Sequence, residues 1–557
     1  MKLLNIDAWI LASILVTSLE ARHVSPQPRD SSTAPVVLTT SGTVRGVLDP
    51  ENGVSAYLGI PYAVPPVGAL RWQAPRPYLS NAEIDATHFG FSCYQSSPTA
   101  AEPSTPGPES NITEAGFAML LAMSTYGLPE SEDCLTLNVW AKKSTLPSRP
   151  KAVMLFVHGG SFVAGSSAMP SQNGRSLAAE HADEIIVVSI NYRLNILGFP
   201  GSPALPRQNL GVLDARMALE WVRDNIAQFG GDPERITLFG QSAGGSMTDI
   251  LSYAYPDDPI AAGFIMMSGF AQDFGLQGVD AAMKSWDQAA VNAGCSHPHN
   301  PSVSTATTSA AASSTLLTPV AAHDSGDQAQ SDILACMLSL PAVSLISAIP
   351  LDGISSAGLP FGPVTDDILV FTNYTAHGPA TRPVLLGTAD READLYRFIL
   401  PPDLTPPQEV LDSITDSTFT CPAALRAGKS RRLGNPTWRY RWFGNFPNTI
   451  LAYEPFTTGA WHGSDVPSIF DTIPQSPIPN TPEQDAVMAY HRGAFVAFAK
   501  DPAHGLDTYF TCSDYGAVAR GRGWPHYHPG EQTLVRIGYE NRTGTNLAMG
   551  AEYDGGC

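Results

Sequence analysis

The amino-acid sequence predicts an α/β fold: a large central, mostly parallel sheet with helices on both faces and long loop insertions. Three observations carry the prediction. After Lys151 come three continuous apolar runs of strand length, AVMLFV, EIIVVSI and ITLFG. Runs that are apolar on both faces belong inside a parallel sheet whose two sides are covered. Between the second and third, LDARMALEWVRDNIAQF places Leu213, Met217, Trp221, Val222, Ile226 and Phe229 at roughly helical spacing and stops at Gly230 and Gly231. Strand, helix, strand is the order from which such sheets are wound.

The remaining segments fit around this core. Lys2, an apolar stretch from Ala8 to Val16, and Leu19, Glu20 and Ala21 ahead of Arg22 read as a secretory signal peptide over residues 1–21. Residues 22–557 are then expected to form one domain, with 43% hydrophobic and 15% charged residues across the chain. SGTVRGVL and YLGIPYAVPPVG are too rich in Gly and Pro for a long helix and read as edge or hairpin strands. A Ser/Thr/Ala-rich stretch from about Pro301 to Gln330 has few large apolar residues and reads as a mobile surface insertion. No stretch after the signal reaches the roughly 18 apolar residues that span a bilayer, so no stable membrane insertion is expected. Sequons at Asn111, Asn373 and Asn541 agree with a secreted, extracellular glycoprotein. The net charge of -20 disfavours nucleic acid as a partner.

The chemistry centres on Gly240-Gln241-Ser242-Ala243-Gly244, which fits the nucleophile-elbow pattern G-x-S-x-G. In a chain with 48 glycines the bare pattern is a weak signal. Its position after the apolar run ITLF, at the start of a small-residue segment able to open a helix, gives it meaning. Upstream, AVMLFV runs into His158-Gly159-Gly160-Ser161, a glycine loop whose backbone N–H groups can approach an oxyanion. Gly159, Gly160 and Ala243 are the candidate donors, each worth roughly 10²- to 10³-fold in rate. His158 itself reads as structural. A base is required downstream, and His462 in the Gly-bounded segment TTGAWHGSDVPSIF is preferred over His504, His526 and His528 in the irregular C-terminal region. The acid falls between the two. The run VLLG ends at Gly387 and is followed by Asp390, Glu392 and Asp394, of which Glu392 is favoured to orient the imidazole.

With these pieces in order, the chain resembles the type-B carboxylesterase/lipase family, α/β-hydrolases that include the cholinesterases. The matching stretches are YLGIPYAVPPVGALRW, SEDCLTLNVW, FVHGGSF, NYRLNILGF, LDARMALEWVRDNIAQFGGDP, LFGQSAGG, LLGTADREAD, WHGSDVP and GWPHY. The resemblance implies a serine esterase with Ser242, Glu392 and His462 as triad and Gly159, Gly160 and Ala243 as oxyanion hole. It implies no metal and no cofactor, and a small-molecule or lipid ester as substrate. The family's acid is usually followed by Gly where this chain has Ala393, which keeps Asp390 and Asp394 in reserve. It further implies a buried Arg71–Glu132 ion pair and the disulfides Cys93–Cys134, Cys295–Cys336 and Cys421–Cys557, with Cys512 left over. Closing the first loop would be worth about 4 kcal/mol in the chain-entropy model. Cholinesterases place a Trp in the first disulfide loop and a Glu before the nucleophile; here residues 94–133 contain no Trp and the preceding residue is Gln241. Choline esters are therefore not expected as preferred substrates. Phe117, Met119, Leu120, Leu121 and Met123 form an apolar stretch that suits either a lid, as in the family's lipases, or ordinary packing. The rival reading is an inert binding module of the same fold; such modules typically lose the nucleophile, and all three triad positions are filled here.

Overall fold

The three apolar runs lie in adjacent strands at the middle of an eleven-stranded sheet. The computed structural model of the chain describes residues 34–96, 112–143, 149–272, 275–295, 324–350, 360–399, 406–453, 457–509 and 523–557. The expected signal segment 1–21, Asn111 and Cys512 lie outside them. Pro35–Cys557 form one compact unit.

The strands are β1 (Val36–Thr39), β2 (Gly42–Arg45), β3 (Val47–Leu48), β4 (Val54–Pro61), β5 (Glu83–Asp85), β6 (Thr136–Lys142) and β7 (Lys151–Val157). They continue with β8 (Ile185–Ile190), β9 (Gly231–Gln241), β10 (Gly263–Met267), β11 (Val384–Ala389), β12 (Thr437–Trp442), β13 (Gln532–Ile537) and β14 (Ala548–Met549). The large sheet runs β14-β13-β12-β11-β10-β9-β7-β8-β6-β4-β3, while β1, β2 and β5 form a small sheet of their own. From β8 through β7, β9, β10, β11 and β12 to β13 every pairing is parallel; β3, β4, β6 and β14 join antiparallel at the two sides. The Gly- and Pro-rich N-terminal segments thus supply the antiparallel margin and the small sheet.

Alternation along β7 shows why the central runs are apolar throughout. Val153, Leu155 and Val157 enter one buried cluster, with Val212, Leu219 and Val222 of the helix Leu210–Asn225 and Met247 and Ile250 of the helix Ala243–Ala254. Ala152, Met154 and Phe156 enter the other, with Val487, Phe495 and Phe498 of the helix Pro482–Lys500. Both faces are covered, so a polar side chain at a central strand position is costly and apolar residues fill most of them. The helix Leu210–Asn225 tightens into a 3-10 turn over Ile226–Phe229 and ends at Gly230, whose φ of 88° is the left-handed stop that glycine accepts without steric cost.

One expectation changes. The stretch read as an insertion to Gln330 gives way earlier to a helix, Asp324–Ser339. Its Ser, Gly and Asp residues hide the periodicity until Ile333, Leu334 and Met337, which pack against the cluster around Trp286.

Disulfides join Cys93 to Cys134, Cys295 to Cys336 and Cys421 to Cys557, with Cα separations of 5.0, 5.5 and 5.2 Å. Beside the first, Arg71 makes a two-pronged contact with Glu132, Nε to Oε1 at 2.6 Å and Nη2 to Oε2 at 2.7 Å, and donates to the Leu340 carbonyl at 2.7 Å. The guanidinium thereby ties the first disulfide loop to the chain that closes the second. Among the described residues no helix is long and apolar enough to cross a membrane.

Candidate active site

In a parallel sheet the loops at the carboxyl ends of adjacent strands meet, and here they meet with the predicted residues on them. β9 ends at Gln241 and a helix starts at Ala243, leaving Ser242 alone in the turn with φ 59° and ψ -127°. That conformation is strained for a side chain bearing a Cβ, at a cost of about 1–3 kcal/mol, and lifts the hydroxyl out of the helix start. The motif glycines make the turn possible: a Cβ on Gly240 would stand 2.2 Å from the Gly244 carbonyl oxygen, and one on Gly244 would stand 2.0 Å from that of Val157.

The second contact is the register of the adjacent strand. Val157 of β7 pairs with Gly240 of β9, so His158, Gly159 and Gly160 run beside Gln241 and Ser242. Among the described residues the Ser242 hydroxyl and the N–H groups of Gly159, Gly160 and Ala243 have no protein partner. His158 is buried, donates from Nδ1 to the Gly159 carbonyl at 2.8 Å, and stacks on Tyr192 at 4.6 Å. Burial pushes its imidazole down to about 4, so it supports the loop as a neutral ring.

The third element arrives from two strands away. Glu392 follows β11 in a 3-10 turn and is fully buried. Its Oε2 accepts from His462 Nδ1 at 2.6 Å; its Oε1 accepts from the Ser268 hydroxyl and the Ala389 N–H, each at 2.6 Å. The histidine loop is held to the same turn by the backbone, His462 N–H to the Glu392 carbonyl at 3.2 Å and Arg391 N–H to the Ala460 carbonyl at 2.9 Å. Trp461, buried against Met119 and Met488, donates to the Thr449 carbonyl at 2.8 Å and anchors the chain one residue before His462. The Phe419 ring stands 4.8 Å from the imidazole.

A family model described as the Carboxylesterase family matches residues 33–410 and 403–552. The chain belongs to the carboxylesterase family. It is 30% identical to a chlorogenic acid esterase of Aspergillus niger over 506 residues, covering 89% of this chain and 88% of that protein. It is 31% identical to secreted lipase 5 of Gibberella zeae over 578 residues, covering 96% of each. Mouse cholinesterase is 39% identical over 241 residues, 42% of this chain and 37% of that one. The protein is accordingly a serine carboxylic ester hydrolase with the α/β-hydrolase fold.

The other predicted residues of this carboxylesterase lie elsewhere. Asp390 pairs with Arg441 at 2.9 Å, and Asp394 accepts from the Gly459 N–H at 3.0 Å, so both reserve acids face partners other than His462. His504 and His526 are exposed and pair with Asp507, while His528 is half-buried with its Nδ1 3.7 Å from Glu531. Asn373 and Asn541 are exposed, and Asn373 Oδ1 accepts from the backbone and hydroxyl of Thr375 within its own sequon.

Two residues of the carboxylesterase site escaped the sequence reading. Ser268 follows β10, which lies between β9 and β11, so it is delivered to Glu392 by strand order; its only signal is a small polar residue closing the apolar run FIMM. Asp465 stands three residues beyond His462 in the quoted HGSD segment. It is fully buried, with Oδ2 accepting from the Tyr440 hydroxyl at 3.3 Å and Oδ1 unpartnered. Burial first, and then the nearby Glu392 carboxylate, push its acid up to about 7. This has a definite sign. Between about pH 4 and pH 7 the unfolded chain releases the Asp465 proton while the folded chain keeps it, so stability falls as pH rises through that window. Asp465→Asn removes the penalty and is expected to be more stable than the parent above pH 7 by on the order of 4 kcal/mol, with no advantage near pH 4. Urea midpoints at the two pH values check this; equal gains at both would refute the assignment.

Proposed function

We propose that the enzyme cleaves carboxylic esters through an acyl-enzyme, with Ser242 as nucleophile, His462 as general base and Glu392 as the acid that orients it. The observation that carries the reading is the bond between Glu392 and His462 Nδ1 at 2.6 Å, beside a serine held at φ 59°. His462 takes the Ser242 proton at Nε2 as the oxygen attacks the ester carbonyl. The N–H groups of Gly159, Gly160 and Ala243 receive the oxyanion. The imidazolium returns its proton to the departing alkoxide oxygen and an alcohol leaves. Water, deprotonated by the same histidine, then attacks the acyl-Ser242 carbonyl and releases the carboxylic acid with the serine restored.

The substrate proposed is an uncharged ester. Gln241 precedes the nucleophile where cholinesterases place a glutamate, and residues 94–133 contain no Trp for a quaternary ammonium group. Likeness to a secreted lipase supports secretion and with it a signal peptide over 1–21, and the near full-length match to that lipase and to a chlorogenic acid esterase supports a single mature domain from residue 22. Glycosylation at Asn111, Asn373 and Asn541 belongs to the same reading. A true lipase is the second reading, favoured by the apolar helix Glu114–Ala122. Met119 and Met123 of this segment pack by the histidine loop, while Leu121 and Tyr126 are exposed.

A fluorophosphonate probe tests the mechanism. It is expected to add one phosphonyl group to the Ser242 peptide and to abolish hydrolysis of p-nitrophenyl butyrate in proportion. Complete labelling elsewhere, with Ser242 unmodified and activity gone, would sink the assignment. A sharp rise in rate above the solubility limit of a long-chain ester would select the lipase reading.

A further inference from the structure

The side chain of Gln241 lies inside the site. It is buried at the end of β9, with its Nε2 at 3.2 Å from His462 Nε2. A Cβ built on Gly159 would stand 3.0 Å from its Oε1, and one on Gly463 would stand 3.5 Å from its Nε2. The amide thus bridges from the glycine loop after β7 to the histidine loop, through room that two glycines leave open.

The direction of the contact follows from the other side of the ring. A carboxylate 2.6 Å from Nδ1 keeps the imidazole proton there, so Nε2 of the neutral ring carries a lone pair. The amide nitrogen donates to that lone pair, whereas the amide oxygen would repel it. The bond therefore selects the neutral imidazole. Nε2 is also the atom that must take the proton of Ser242, whose hydroxyl has no protein partner among the described residues.

We propose that Gln241 is a positioning residue: its amide holds Nε2 of neutral His462 in the free enzyme and yields that nitrogen to the Ser242 hydroxyl when an ester enters. The proposal rests on the Ser242–His462–Glu392 reading above. The exchange replaces one N–H···N bond by one O–H···N bond and moves no proton. The amide bonds the neutral ring and opposes the charged one, whereas a carboxylate in its place would favour the charged ring. The ionisable groups around the imidazole are Glu392 on Nδ1 and Asp465 from the start of the helix Val466–Phe470, itself capped by the Tyr440 hydroxyl. Phe419 and Met123 bring uncharged surface, and Asp394 is held by the Gly459 N–H. Gln241 is thus the neutral contact on the catalytic side of the ring.

The test is kcat/KM for p-nitrophenyl butyrate against pH, with the full chain, Gln241→Glu, Gln241→Met and Ser242→Ala. Gln241→Glu, which keeps size and adds charge, is expected to move the acidic limb up by about one pH unit. Activity on that limb then falls about tenfold, more than on the alkaline plateau. Gln241→Met loses the donor without adding charge and moves the limb in the same direction by less. A limb that stays in place in both variants, with activity lowered evenly at all pH values, overturns the proposal and leaves Gln241 a packing residue. Turnover retained by Ser242→Ala overturns the underlying mechanism instead; a dead Ser242→Ala with an unmoved limb overturns the Gln241 assignment alone.

Discussion

Ser242→Ala is expected to lower kcat toward p-nitrophenyl butyrate by about 10⁶-fold. The size follows from how the residues act together: without the oxygen there is no acyl-enzyme, and His462 and Glu392 have nothing to activate. What remains is binding and the oxyanion donors, worth roughly 10³- to 10⁴-fold over water. The variant is also a clean one. Ala has the same Cβ as Ser and meets the same strain at φ 59°, and the turn is held by backbone bonds, Ser242 N–H to the Met267 carbonyl at 2.8 Å and Ser246 N–H to the Ser242 carbonyl at 2.9 Å. Neither involves the hydroxyl. Circular dichroism and urea midpoints should match the parent, and a folded variant that keeps more than about a tenth of the activity would exclude Ser242 as nucleophile.

How far the site could be read in advance depends on whether a residue's role is local or is set by strand order. The elbow is local: Gly240, Ser242 and Gly244 lie within five residues, and a Cβ on Gly240 would stand 2.2 Å from the Gly244 carbonyl oxygen. The central strands are legible for a similar reason, since burial on both faces leaves an unbroken apolar run. Ser268 is different. Nothing near it in sequence distinguishes it, and it reaches Glu392 because β10 is inserted between β9 and β11, a fact of topology. Asp465 and Gln241 lie inside recognised segments, yet the direction in which each side chain points depends on packing against Tyr440 and His462. The helix from Asp324 fails for the opposite reason: its first turns are polar and small, and only packing at its C-terminal end reveals it.

The surroundings of Glu392 make Glu392→Gln the most informative change after Ser242. All three of its hydrogen-bond neighbours donate: His462 Nδ1, the Ser268 hydroxyl and the Ala389 N–H. A carboxylate satisfies them all, but an amide has only one acceptor oxygen. The Ala389 N–H is fixed in the backbone at 2.6 Å and cannot turn, so the amide oxygen must stay on the Oε1 side and the NH₂ must face His462. Nδ1 then has to accept, which moves the ring proton to Nε2 and removes the lone pair that Ser242 needs. The structure stays and the tautomer is wrong, so kcat is expected to fall by about 10⁴-fold with KM little changed. Adding Ser268→Ala frees only one of the two donors at Oε1 and should not restore activity, because the Ala389 N–H still dictates the amide orientation. If Glu392→Gln stayed within tenfold of the parent, the carboxylate would not be setting the tautomer, and Asp465, the other acid beside His462, would become the candidate.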